Sequence, residues 1–142
     1  MKTFLASVLL FAAPASVLAQ DEWEEQVRGQ LTAVGVDMIN DGWTMRDDIY
    51  IDSLDENAID YFEIPLDQGV NYAIVGVCDN DCSDVDLYLR DGEDTDIVSD
   101  TEVDDFPLLQ VVAQYTGDHW LRVRMYDCEV EPCRYGVAVF SE

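Results

Sequence analysis

Lysine is nearly missing from this sequence: one residue, Lys2, in 142, alongside six arginines and a single histidine. Against them stand 31 aspartates and glutamates, for a formal net charge of −24. A chain so short of cations cannot make the phosphate contacts on which DNA and RNA binding depend, and anionic membrane surfaces are disfavoured for the same reason. Long apolar runs are also missing. Beyond the first 13 residues no stretch approaches the roughly 18 residues that would span a bilayer, so no membrane insertion is expected. Catalytic signatures are absent too. There is no HExxH, no glycine-rich phosphate loop, and no nucleophile motif around Ser53, Ser83, Ser99 or Ser141. A non-enzyme is therefore expected. A small hydrolase would need a carboxylate pair in a cleft, but with 31 acids some pair meets in any fold, so that signal carries no weight.

Hydrophobic residues make up 49% of the chain, enough for a packed core, so the acidity does not mean disorder. The length suits one domain. Residues 1–19 read as an export signal. Lys2 supplies the positive start, Phe4 to Ala13 is the apolar stretch, Pro14 breaks it, and Val17 and Ala19 suit a cleavage point before Gln20. The expected location is periplasmic or extracellular. Removing the signal removes the only lysine and leaves six arginines. Aspartate outnumbers glutamate 21 to 10, which suits turns, caps and calcium loops better than helix surfaces.

Residues 20–42 form an N-terminal helical segment. Asp21 can cap a helix from Asp21 to Val36, with Glu24 as the returning carboxylate and Gly35 as its stop. Trp23, Val27, Leu31 and Val34 share one face, which predicts docking on the rest of the chain or on a partner. Residues 43–142 read as short strands cut by Gly, Pro and Asp turns. They are Ile49–Ile51, Ala58–Ile64, Tyr72–Val77, Val85–Arg90, Ile97–Val98, Leu108–Tyr115, His119–Tyr126 and Tyr135–Phe140. Seven or eight such strands predict an all-β fold, an antiparallel β-sandwich.

Two strands alternate clearly. Val85, Leu87 and Leu89 oppose Asp86, Tyr88 and Arg90. His119, Leu121, Val123 and Met125 oppose Trp120, Arg122, Arg124 and Tyr126. This parity turns His119 inward as a structural histidine. It also gathers Trp120, Tyr88 and Tyr126 with Arg90, Arg122 and Arg124 on the other side. Such a face, if open, could bind sugar rings or a protein strand. The expectation is that the N-terminal helix covers it through Trp23, with the arginines paired to nearby acids.

Four cysteines stand in two tight pairs, Cys78 with Cys82 and Cys128 with Cys133. In exported sequence disulfides are the default, and of the three possible pairings the local one is expected. A four-cysteine zinc site is the rival, disfavoured by export and by the surrounding acids. Each local bridge closes a short loop, worth about 2 kcal/mol by chain entropy. One such loop is dense in oxygen donors. Asp79, Asp81, Asp84 and Asp86 are the expected ligands of a calcium ion (Ca2+), although the spacing is not an EF-hand, because Asp84 and Arg90 stand where Gly and Glu belong.

Several segments together resemble the bacterial pre-peptidase C-terminal domain family. They are Gly69-Val70-Asn71-Tyr72, Asp84-Val85-Asp86-Leu87-Tyr88-Leu89, the acidic turn before Phe106-Pro107, Gly117-Asp118-His119-Trp120-Leu121-Arg122-Val123, and Tyr135-Gly136-Val137-Ala138-Val139. The match runs from about Ile59 to Phe140. It departs from the family at His119, where an aromatic is usual, and in the two cysteine pairs. The resemblance implies a jelly-roll-like sandwich of the kind appended to exported proteases, some relatives of which bind calcium or engage extracellular polymers. The expected function is a secreted, calcium-responsive binding or adhesion module for extracellular protein or polysaccharide. The alternative is a subunit that associates with copies of itself into a layer or filament.

Overall fold

The computed structural model describes residues 15–142, apart from the side chains of residues 15–21 and of Asp47 and Asp48. The expected export signal lies mostly outside the described residues. One helix, α1 (Ala15–Asn40), precedes eight strands: β1 (Thr44–Leu54), β2 (Ile59–Leu66), β3 (Asn71–Cys78), β4 (Cys82–Arg90), β5 (Asp96–Asp100), β6 (Leu108–Val112), β7 (Gly117–Cys128) and β8 (Cys133–Ser141). They form two four-stranded antiparallel sheets. The first has the order β1-β8-β3-β6 and the second β2-β7-β4-β5. The chain thus pairs from its middle outward, β4 with β5, β3 with β6, β2 with β7 and β1 with β8. This is the rolled hairpin of a jelly roll, the expected all-β sandwich.

Alternation places the core between the sheets. Phe62, Ile64 and Leu66 of β2, Val85, Leu87 and Leu89 of β4, and Leu121, Val123 and Met125 of β7 face Tyr72, Ile74, Leu109, Tyr135 and Val137 of the first sheet. The Tyr135 hydroxyl donates to Asp60 at 2.7 Å. Burial, and then the neighbouring Asp60 carboxylate, push the phenol well above its ordinary pKa. Both expected disulfides are present, Cys78–Cys82 and Cys128–Cys133. Cys82 and Cys128 are register partners on β4 and β7, and all four cysteines belong to the core. The bridges therefore close one end of the sandwich as well as shaping its loops. Pro65, expected to end a strand, lies inside β2. An edge strand tolerates it because the missing N–H can face away from the ladder.

A second, smaller core lies on the outer face of the first sheet, beneath α1. Val27 and Leu31 pack on Ala73, Val75, Val77, Ala138 and Phe140, with Val34, Met38, Trp43, Met45, Ile49 and Ile51 around them. Two hydrogen bonds fix the helix to the first disulfide loop. Gln30 donates to the Cys78 carbonyl at 3.1 Å, and Gln26 accepts from the Asn80 amide at 3.1 Å. The helix corrects two expectations. Asp21 is interior to it, not its cap, and the helix runs through Gly35 to Asn40. Gly35 is buried where the helix meets Met45, so its missing side chain serves packing. The true stop is Gly42, at φ 98°, with Gly42 N–H bonded to Ile39 O and Trp43 N–H to Met38 O. That is the paired-bond ending in which a left-handed glycine satisfies the last carbonyls.

Candidate binding face

The helix docks on the first sheet, so it does not cover the aromatic and arginine residues of β4 and β7. They lie on the outer face of the second sheet, and among the described residues no helix or strand packs over it. Trp120 is 37% exposed and Tyr126 49%. The expectation that Trp23 would sit here is overturned. The physical reason is side-chain size: the first sheet offers Gly136, Ala138 and Ala73 to a helix backbone, whereas the second offers large polar and aromatic groups.

The face is ordered by the pairing register. Tyr61 of β2 opposes Arg122 of β7, which opposes Tyr88 of β4. One pair further along, Ile59, Arg124 and Asp86 align, and in the other direction Glu63, Trp120 and Arg90. Tyr61, 46% exposed, is a member that the sequence reading missed. Its signal was the parity of Ile59, Tyr61 and Glu63 against Phe62 and Ile64. Along β7 the outward residues run Trp120, Arg122, Arg124, Tyr126, a straight track about 20 Å long at ~3.4 Å per residue.

The arginines are held differently. Arg90 is ion-paired as expected, with Asp96 at 2.8 Å and with Asp94. Arg122 instead lies over the Tyr88 ring at 3.6 Å and Arg124 over Tyr126 at 4.7 Å. Such stacking fixes a guanidinium without neutralising it. The Tyr88 hydroxyl donates to Asp86 at 3.0 Å, and burial followed by that bond raises its pKa.

The four expected calcium ligands divide among three places. Asp79 is buried and serves its own loop, accepting from the Arg134 amide at 2.6 Å and the Asp81 amide at 3.1 Å. Burial raises its pKa, and these backbone bonds oppose the rise. Asp81 lines an open acidic groove with Ser83, Asp127, Glu129 and Glu131. Asp84 and Asp86 are buried on β4, Asp86 within the binding face opposite Arg124. The Asp84 Oδ1 has no hydrogen-bond partner, and its pKa is raised by burial and then by Asp86, Asp104 and Asp127, with Arg124 opposing. Among the described residues, no three side chains of His, Cys, Asp or Glu converge closely enough to hold a metal ion.

His119 is buried, as its parity indicated. Its Nδ1 lies 3.0 Å from the Gly117 carbonyl, which can only accept, so that nitrogen carries the proton. Tyr115 stacks on the ring at 4.2 Å, and together they line a cavity of about 260 Å³ with Leu66, Leu89 and Val111. Among the described residues no helix is long and apolar enough to cross a membrane. No protein-family model matches the chain, and no curated protein matches it. The class that fold and face define is a small, acidic, disulfide-bonded jelly roll with one uncovered aromatic sheet face.

Proposed function

We propose that this is an exported, non-catalytic binding module that engages an extracellular polysaccharide through the outer face of its second sheet. The observation that carries the reading is the exposed Trp120–Tyr126 track, flanked by Tyr61 and Tyr88 and left bare by the helix. Aromatic rings exposed on a rigid sheet suit sugar rings, whose apolar faces stack on them. Dimensions favour a narrow polymer over a folded protein. Three strands span about 10 Å between their outer axes, whereas a stable protein interface takes roughly 800 Å² from each partner. The cysteine pairs and the leader-like first 19 residues support export. The resemblance to pre-peptidase C-terminal domains supports an accessory role.

Self-association has less support, because α1 spends Val27 and Leu31 on its own sheet. Affinity electrophoresis through gels containing dextran, xylan, polygalacturonate or gelatin tests the proposal. Retardation by at least one polysaccharide is expected, with Trp120→Ala/Tyr126→Ala weakening it about tenfold or more, as loss of an aromatic anchor does. Retardation by gelatin alone would point to a protein partner and overturn the reading. The proposed face does not use calcium. Equal affinity in millimolar calcium and in EDTA is expected, and a calcium requirement would return attention to Asp79, Asp81, Asp84 and Asp86.

A further inference from the structure

Resting on the polysaccharide reading, we propose that the bound polymer is acidic, with Arg122 and Arg124 reading its carboxylate or sulfate groups while the neighbouring rings stack on its sugars. In a chain with 31 acids, arginines find partners easily. Arg28 pairs with Glu24 at 2.9 Å, Arg46 with Asp67 at 3.6 Å, and Arg90 with Asp94 and Asp96. Among the described residues, Arg134 of β8 has no such pair, and neither do the two arginines in the middle of the track, which differ from it in standing side by side among aromatic rings. The carboxylates nearest in register, Asp86 opposite Arg124 and Asp84 beyond it, are buried on β4, and Asp86 already accepts from Tyr88. Glu63 faces Trp120 at the far end of the track.

Geometry suits an anion-bearing chain. Residues two apart on a strand project from the same face about 6.8 Å apart, so the guanidiniums form a short ladder with aromatic rings before, beside and after it. Stacking on Tyr88 and Tyr126 holds each guanidinium plane in place before a ligand arrives. A guanidinium fork matches a carboxylate or a sulfate with two parallel hydrogen bonds. A neutral glycan laid on this track would strip water from two cations and return only hydroxyl acceptors, a poorer exchange. The acidic remainder of the surface repels a polyanion everywhere else, which confines it to this face and sets its register.

The test is calorimetric titration of the intact, disulfide-bonded chain at physiological salt with polygalacturonate, dextran sulfate and unsubstituted dextran. The proteins compared are the parent and the double variant Arg122→Gln/Arg124→Gln, whose fold is checked by near-ultraviolet circular dichroism. At least one charged polymer is expected to bind about tenfold or more tighter than dextran. The double variant should bind that charged polymer about tenfold or more weakly than the parent does. The better of the two polyanions tells carboxylate from sulfate. Equal binding of charged and neutral polymers, or charged binding unaltered in the double variant, overturns the acidic-ligand inference and leaves the polysaccharide reading standing. Binding to none of the three overturns the acidic-ligand inference, and the polysaccharide reading falls with it unless xylan retards the protein.

Discussion

Gly136→Val is expected to destabilise the protein by about 3 kcal/mol, at the upper end of what overpacking usually costs. Gly136 sits on β8 beneath α1. A Cβ there would stand 2.6 Å from Val27 Cγ1, 2.7 Å from Leu31 Cδ1 and 3.3 Å from the Tyr50 carbonyl oxygen. Leu31 can swing its methyl aside. Val27 has a single stiff torsion, and the Tyr50 oxygen belongs to the backbone of β1. Relief therefore requires lifting the helix, which exposes Val27, Leu31, Val75 and Phe140 together. The glycine is required for close approach and not for backbone freedom, so space made elsewhere should compensate. Val27→Ala combined with Gly136→Ala is expected to be more stable than the sum of the two single losses. Chemical denaturation of the four proteins gives the coupling. A valine tolerated within about 0.5 kcal/mol would mean that α1 is not seated as described, since a substitution that disturbs nothing usually falls within that range.

That contact also marks where the sequence stopped being legible. Each strand was readable because apolar alternation between turn residues is a local property, and the eight runs found by pattern correspond to the eight strands. Length was harder. β1 begins at Thr44, well before Ile49, and its register breaks between Arg46 and Tyr50 in a run that shows no alternation. Which sheet the helix would choose was not local at all. Parity correctly grouped Trp120, Tyr126, Arg122 and Arg124 but could not tell a covered face from a bare one. A usable signal was present in β3 and β8. Tyr72 to Cys78 and Tyr135 to Phe140 are apolar at both parities, as strands are when buried on two sides. β7, by contrast, alternates strictly. A sheet containing β3 and β8 needed cover, and the sheet containing β7 did not.

The surroundings of the four expected calcium ligands were likewise not legible in their spacing. Spacing in sequence does not say where a loop ends and a strand begins, nor which backbone amides will claim a carboxylate. Asp79 lies at a loop start, where backbone amides claim its oxygens, and Asp81 opens onto a groove, while Asp84 and Asp86 have entered β4. Four acids within eight residues thus reach three environments. The same local ambiguity did not affect the cysteines. Separations of four and five residues leave little choice of partner once strand ends bring each pair together.

Acidification from pH 7 to pH 5 is expected to raise the melting temperature, the reverse of ordinary acid destabilisation. The sign follows from Asp79 and Asp84. Burial is the main cause that pushes both above the ordinary carboxylate range, and for Asp84 the carboxylates of Asp86, Asp104 and Asp127 add to it. With folded-state values above the unfolded value of about 3.9, the native protein holds more protons than the unfolded chain between the two. Stability is therefore full below the unfolded value and declines as pH rises through the folded ones. The formal charge of −24 works in the same direction, because protonation relieves repulsion that only the compact state suffers. Tyr88 and Tyr135 do not interfere. Their raised values cost stability only above about pH 10. Asp84→Asn should reproduce part of the gain at pH 7. It removes a buried charge whose Oδ1 has no partner and is expected to stabilise by about 1 kcal/mol, or roughly 4 °C in a domain of this length. Scanning calorimetry in low salt with EDTA, at pH 5 and pH 7, measures both effects. The variant should show the smaller difference between the two pH values. A parent melting temperature that falls on acidification would mean that Asp79 and Asp84 are held charged in the fold, and the burial argument would be wrong.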